Sequence, residues 1–266
     1  MELYKAIKRR RSVRDYPPEE LSESTLEDVE SLLSEGREFR SNISTSAHLV
    51  KNGREFQGSI SGVIADYGKV KAPHYMVLTS ADSEGGWVEV GYRYEFVVLG
   101  LTAMGIGTCW IGKGFSDEEL AGFADISPDR TARALIACGP VPDGKLNEIE
   151  EPKRKDLGYF LLQPDIDELD EAHLDLLDSL RRAPSSINSQ PWRVIVDDEF
   201  IHLYKRSRSF LSRKLVKSLT DMNRVDSGIG LAHIETAGNH HWGDVDVGQF
   251  PHPEQNGLEY IGSLKK

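Results

Sequence analysis

Cysteine is almost absent from this 266-residue chain. Only Cys109 and Cys138 occur, both within apolar stretches, so a disulfide framework is excluded and the thiols read as small core side chains. No apolar run reaches the roughly 20 residues that a membrane-spanning helix needs, and the N-terminal MELYKAIKRR lacks the apolar segment of a secretory signal. These absences predict a cytoplasmic protein with no membrane partner. Positive charge is scarce too: 32 Lys and Arg stand against 43 Asp and Glu, a formal net charge of −11. That balance excludes a broad nucleic-acid surface, because a phosphate backbone demands clustered cations without nearby acids. No Gly-x-Ser-x-Gly elbow is present, which leaves hydrolase chemistry without a nucleophile. The glycines of DSGIGLAHIETAG, residues 226–238, follow no strand and complete no Gly-x-Gly-x-x-Gly, so they point to close helix packing rather than dinucleotide binding. His233, His240 and His241 lack the spacing of three convergent ligands, and no metal site is expected.

What is present is a 39% hydrophobic content, enough for one large core or two small ones. The cations gather in KRRRSVR (residues 8–14), PKRK (152–155) and KRSRSFLSRK (205–214). Within an acidic chain such a cluster is either a solvated face or the seat of one small phosphorylated cofactor.

Apolar spacing predicts a short N-terminal helix with Leu3, Ala6 and Ile7 on one side, delivering the arginines at its end. Pro17 and Pro18 keep the next segment extended. Ser24 and Glu27 suggest a capping box for a helix with Leu26, Val29 and Leu33 inward and Gly36 as its stop. Residues 37–71 read as irregular with short strands, and 74–80 as a strand. Residues 88–105 form a helix apolar on almost all sides and therefore central. SDEELAGF is a capped helix behind Ser116, and ARALIACG is a second core strand. The polar, Pro- and Gly-punctuated tract 140–156 marks the boundary. Beyond it an amphipathic helix (169–182, with Leu174, Leu177 and Leu180 on one face), a strand (192–198) and a Gly-rich buried helix (226–238) mirror 26–34, 74–80 and 92–105. This suggests an internal duplication with a period of about 145 residues, too long for a solenoid and more like a fused pseudo-dimer.

The seam between that amphipathic helix and strand, RRAPSSINSQPW (residues 181–192), is polar without an obvious packing purpose. Pro, Ser and Asn serve turns in any case, but hydroxyls, amides and backbone N–H groups at an element end can also grip an oxygen-rich ligand.

APSSINSQPW closely resembles the Ala-Pro-Ser-x-x-Asn-x-Gln-Pro-Trp signature of the FMN-dependent nitroreductase family. RRRSVRDY (residues 9–16) resembles a second signature of that family, and GIGTCWIGKGF (105–115) and the Gly-Pro then Lys-Arg-Lys run (139–155) are looser matches. The resemblance is to the fused pseudo-dimer, TM nitroreductase-like subgroup. It implies an α+β nitroreductase-like fold, a central, mainly antiparallel sheet flanked by helices, with two diverged halves, 1–155 and 156–266, forming one integrated pseudo-dimer. It also implies the cofactor FMN, NAD(P)H as electron donor, and an electron-poor small-molecule acceptor such as a nitroaromatic or a quinone, reduced by a ping-pong mechanism. No side chain is expected to act as catalytic acid or base, since the flavin carries the chemistry.

By the same resemblance Arg10 and Ser12 bind the phosphate with Arg11 nearby, and Arg14 lies at the pyrimidine edge of the ring, where its cation favours the reduced flavin. Arg154, with Lys153 or Lys155, closes on the phosphate. Ile111, Gly112, Lys113 and Gly114 form the loop whose main chain approaches flavin N5. Pro184, Ser185, Ser186 and Asn188 embrace the flavin from the other half, with Gln190 and Trp192 holding their loop. The first half has only GREFRSNISTSAH where a Pro-Ser signature should stand, and the second half has no Arg-rich signature, so one site of two is expected to remain. The chain should be a monomeric pseudo-dimer or a weak homo-oligomer. A flavin-binding storage or sensor protein without redox turnover is the alternative reading.

Overall fold

The computed structural model describes residues 2–35, 37–59, 70–112, 115–142, 146–148, 150–206 and 213–266, and the side chains of all of these except 59 and 213–220. Helix α1 (Leu3–Arg9) buries Tyr4, Ala6 and Ile7 and hands the chain to Arg10 in extended conformation. Helix α2 (Glu23–Ser34) buries Leu26, Val29 and Leu33. Its cap is Ser22, whose side chain accepts from Thr25 N, not the expected Ser24; the earlier serine is the one with extended backbone. The expected stop, Gly36, lies outside the described residues. Strand β1 (Thr45–Val50) and helix α3 (Gly53–Ser59) occupy the tract that reads as irregular. Strand β1 escapes pattern reading because only Val50 in it is buried.

Strand β2 (His74–Ala81) leads to helix α4 (Glu84–Ala103), which starts four residues ahead of the expected 88 because Ser83 caps it through Gly86 N. Gly105, at φ 83°, turns the chain after α4, a left-handed position that glycine takes without penalty. Strand β3 (Gly107–Ile111), the capped turn α5 (Asp117–Leu120) and strand β4 (Arg130–Gly139) complete the first half. The second half holds strand β5 (Leu161–Gln163), helix α6 (Glu171–Arg182), strands β6 (Trp192–Val196) and β7 (Phe200–Arg206), helix α7 (Arg213–Trp242), and strands β8 (Asp246–Gly248) and β9 (Leu258–Lys265). In α6 the buried leucines are 176, 177 and 180; Leu174 is only half-buried.

The two sheets carry the duplication. The first has strand order β1-β2-β4-β3 and the second β5-β6-β7-β9-β8. Without β5 the orders are the same, with β6, β7, β8 and β9 in the places of β1, β2, β3 and β4, and every shared pairing is antiparallel. The strand after RRAPSSINSQPW is therefore the counterpart of β1, not of residues 74–80. The repeat has no single period, because the connections between equivalent elements differ in length. Strand β5 is added in parallel outside β6 by the segment that leaves the first half.

Helices α4 and α7 join the halves at backbone contact distance. A Cβ on Gly91 would lie 2.0 Å from the Val225 carbonyl oxygen, and one on Gly228 would lie 2.0 Å from that of Val88. One core cluster then runs from Ile7 in α1 through Phe96 and Leu99 in α4 to Leu177, Trp192, Leu231 and Ile261, so the two halves share their interior. Among the described residues no helix is long and apolar enough to cross a membrane, and Cys109 and Cys138 are both buried and free.

The reciprocal contact generates a stability prediction. Gly91→Ala and Gly228→Ala should each cost about 3 kcal/mol or more, because backbone rather than a flexible side chain must move. Gly122→Ala, which meets nothing within 4 Å, should change stability by no more than about 0.5 kcal/mol. Denaturant unfolding of the three variants checks this.

Candidate active site

The Arg-rich segment is pinned beside β3. Ser12 forms a parallel bridge with Thr108, and Val13 N donates to the Thr108 carbonyl at 2.8 Å. Arg10 to Arg14 thus lie against the strand whose end carries Ile111 and Gly112. From the second half, α6 stops at Arg182 because Pro184 lacks the N–H that would continue it. The chain then crosses residues 184–190 in a conformation that few side chains tolerate: φ is 49° at Ile187, 55° at Asn188 and 47° at Gln190. Asn accepts this region readily, whereas a β-branched Ile there is a genuine outlier.

The surroundings hold that loop. Ser186 N donates to both carboxylate oxygens of Asp226 in α7, at 3.0 and 3.1 Å. Trp192 Nε1 donates to the Asp226 carbonyl at 2.8 Å. Gln190 N donates to Ser185 Oγ at 3.0 Å, and the buried Gln190 Oε1 accepts from Lys155 N at 3.0 Å. Gln190 and Trp192 are thus fasteners of the loop.

Two cavities meet between the halves. The larger, about 580 Å³, is lined by Arg10, Arg11, Ser12 and Arg14 from the first signature, by Lys153 and Arg154, and by Pro184, Ser185 and Asn188. The smaller, about 110 Å³, is lined by Ser12, Arg14, Ile111 and Gly112 on one side and Pro184, Ser185 and Ser186 on the other. Ser12, Arg14, Pro184, Ser185 and Ile187 line both, which makes the two one continuous site. Every candidate residue within the described chain is brought to it. Lys113 and Gly114 lie outside the described residues. Of the alternatives beside Arg154, Lys153 lines the cavity, while Lys155 donates its Nζ to the Ser189 carbonyl and sits 3.7 Å from the Tyr159 ring centre.

The larger cavity is strongly cationic, since Lys8 and Arg182 also line it and, among the described residues, its one acid is Glu151. Buried Nε atoms of Arg10, Arg11 and Arg154 have no hydrogen-bond partner among the described residues. Burial pushes the Arg154 guanidinium down to about 10, and the nearby Arg10 charge adds to this. Burial also lowers Arg10, against the opposing pull of Glu95. Cations held together, desolvated and short of acceptors are what a small oxyanion such as a phosphate would satisfy. The smaller cavity differs in kind: Trp110, Ala134, Met222, Val225 and Ile229 give it an apolar wall suited to a flat ring.

Sequence reading missed Trp110, Met222, Val225, Asp226 and Ile229. A signal for Asp226 exists: an acid stands two residues ahead of each contact glycine, Glu89 before Gly91 and Asp226 before Gly228. Glu89 does in the first half what Asp226 does in the second, accepting from Phe39 N and Arg40 N at 2.8 and 2.9 Å. In that mirrored position the space is filled. Phe39 lies where a Cβ on Gly262 would come within 2.6 Å, and Ile43 and Arg40 crowd Gly85 in the same way.

The family model described as "Putative TM nitroreductase" matches residues 2–238, so this chain belongs to that family and is an oxidoreductase of the nitroreductase class. A crystal structure described as "a putative nitroreductase" of Thermotoga maritima is similar with a TM-score of 0.65 and 21% identity, covering 99% of this chain and 93% of that one. An FMN-dependent nitroreductase of Clostridium difficile is similar at 14% identity and a TM-score of 0.46, covering 62% of this chain and 96% of that one. A nitroreductase of Bacteroides fragilis with bound FMN is similar at 16% identity and a TM-score of 0.44, covering 57% and 95%. No curated protein matches the chain.

The strained loop carries its own prediction. Ile187 is 74% exposed, so little packing is lost on truncation, and Ile187→Gly should raise stability by about 1 kcal/mol through relief of the left-handed strain. A lowered melting temperature would mean that Ile187 is held by packing instead.

Proposed function

We propose that the chain is an FMN-dependent oxidoreductase, that the halves 1–155 and 156–266 act as one pseudo-dimer, and that they share a single flavin site. The observation that carries this reading is the trio of unpaired, buried guanidinium nitrogens on Arg10, Arg11 and Arg154 around one cavity. That basin suits a phosphate, and the adjoining apolar slot between the halves suits a ring.

The roles follow from position. Arg10, Arg11, Arg154 and the Ser12 hydroxyl hold the phosphate. Arg14, common to both cavities, reaches from the phosphate basin to the ring edge and favours negative charge there. Ile111 and Gly112 present main chain along the slot. Pro184, Ser185, Ser186 and Asn188 close the site from the second half, on a loop that Asp226 keeps in shape. Bound FMN would supply the redox step, accepting a hydride from NAD(P)H and passing electrons to an electron-poor acceptor such as a nitroaromatic or quinone, in ping-pong order. The protein's share is to bind, orient and exclude water.

Purified protein titrated with FMN should bind about one flavin per chain; two per chain would overturn the single-site reading. Arg14→Ala and Ser185→Ala, one from each half, should each weaken binding roughly ten-fold, the worth of one charge-assisted contact. Mixing the loaded protein with NAD(P)H should bleach the flavin absorbance rapidly. A flavin that binds but stays oxidised would instead favour storage or sensing without turnover.

A further inference from the structure

Arg10 does not stand alone beneath the phosphate basin. It is 5% exposed, its Nη2 donates to the Arg182 carbonyl at 3.3 Å, and its Nε lies 4.0 Å from Glu95 Oε1 without a hydrogen bond. Glu95, in α4, is fully buried and has two other partners. Its Oε2 accepts from Trp110 Nε1 at 2.7 Å, and its Oε1 lies 2.9 Å from Nε2 of the fully buried His233 in α7. The other ring nitrogen, Nδ1, lies 2.8 Å from the Ser179 carbonyl of α6.

The hydrogen bonds fix the protons. A carbonyl only accepts, so His233 Nδ1 carries a hydrogen; an indole only donates, so Glu95 Oε2 is an acceptor. The contact between His233 Nε2 and Glu95 Oε1 then needs one proton, because two lone pairs facing each other in a dry interior would be strongly repulsive. Whichever atom holds that proton, the Glu95–His233 pair is neutral overall. Glu95 therefore does not cancel the charge of Arg10.

We propose that Glu95 and His233 are positioning residues that share this proton and so set the net charge that Arg10 offers to the phosphate basin. This rests on the reading of that basin as the phosphate site. With the proton in place, Arg10 is an uncompensated cation in the wall of the basin. With the proton gone, a bare Glu95 carboxylate 4.0 Å away neutralises Arg10. Anion affinity should thus be high while the pair holds its proton and low where a substitution leaves the carboxylate bare. Among the described residues, the titratable and charged groups around Arg10 include Arg11 and Arg14 of its own segment, Arg154 and the Cys109 thiol, with Lys8, Lys153, Arg182 and Glu151 on the walls of the same cavity. On α6, Asp178 closes on Arg181 and Arg182 and leaves no acid facing Arg10. Glu95 also holds Trp110, a wall of the ring slot, so one carboxylate supports both parts of the site.

The test is FMN affinity at about pH 8, above the phosphate's own ionisation near 6, for the wild type, Glu95→Gln, His233→Gln and the double variant, with riboflavin as the probe that lacks the phosphate. In Glu95→Gln the amide still accepts from Trp110 and donates to His233 but carries no charge, so FMN should bind as tightly as to the wild type. In His233→Gln the carboxylate remains bare, and FMN should bind roughly ten-fold more weakly, within the span of typical coupling between sites. Adding Glu95→Gln to His233→Gln should restore tight binding, which a merely structural loss would not do. Riboflavin should respond to none of this. A Glu95→Gln variant as weak as His233→Gln, or a riboflavin loss equal to that of FMN, would overturn the proposal. Inorganic sulfate, fully ionised at this pH, repeats the test without a flavin. The expected pattern with sulfate alone would refute the flavin reading and leave the proton-sharing pair standing, whereas its absence with both probes would refute the pair.

Discussion

The contact on which the rest of the molecule depends is the approach of α4 to α7 at Gly91 and Gly228. Each glycine sits on the backbone of the opposite helix, with room for no side-chain carbon. Glu89 and Asp226, two residues ahead of these glycines, each reach out to fasten the loop of their own half, the one that precedes β1 and the one that precedes β6. In the second half the fastened loop carries Ser185 and Ser186 and faces the arginines delivered by α1. In the first half the equivalent loop carries Phe39 and Arg40, which fill their own position. The same scaffold is thus used once to open a site and once to close it.

The site is costly to the folded state in two ways. Among the described residues, seven cationic side chains and a single acid line the larger cavity, in a protein whose overall charge is strongly negative. Repulsion and desolvation within that basin are tolerated because the surrounding core is extensive and shared between the halves. The left-handed Ile187 and Gln190 add backbone strain at the rim. Strained residues persist where neighbours over-determine them, and here Asp226, Trp192 and Lys155 supply the constraint. Such a loop is pre-shaped, so little ordering remains to be done when a ligand arrives.

Much of this was legible in residue order. The two signatures, residues 9–16 and 181–192, named both sides of the larger cavity before any coordinates, because their chemistry is local: consecutive cations at a helix end, and hydroxyls and an amide behind a helix-stopping proline. Capped or strongly apolar elements such as α4, α5 and β4 were equally plain. Strand β1 was not, since TSAHLV has neither alternation nor a continuous apolar run at a half-buried sheet edge. The first half of α7 was missed for a similar reason, its sequence KSLTDMNR being polar. The choice of Ser22 over Ser24 as a cap turns on backbone angles that composition does not record.

The sequence alone determined the inventory: which residues carry positive charge in an acidic chain, which glycines permit close approach, and which two segments resemble the family's signatures. Only the tertiary structure decided the partnerships. The equivalence of β6 with β1 is visible in strand order and not in any fixed period, because loops of unequal length separate the repeated elements. Trp110, Glu95 and His233 lie far from both signatures in the chain, and nothing in their local sequence marks them out; Asp226 is marked only by its place two residues ahead of Gly228. They come together because α4 and α7 cross between the sheets, and the proton held between Glu95 and His233 exists as a physical feature only once that crossing has excluded water.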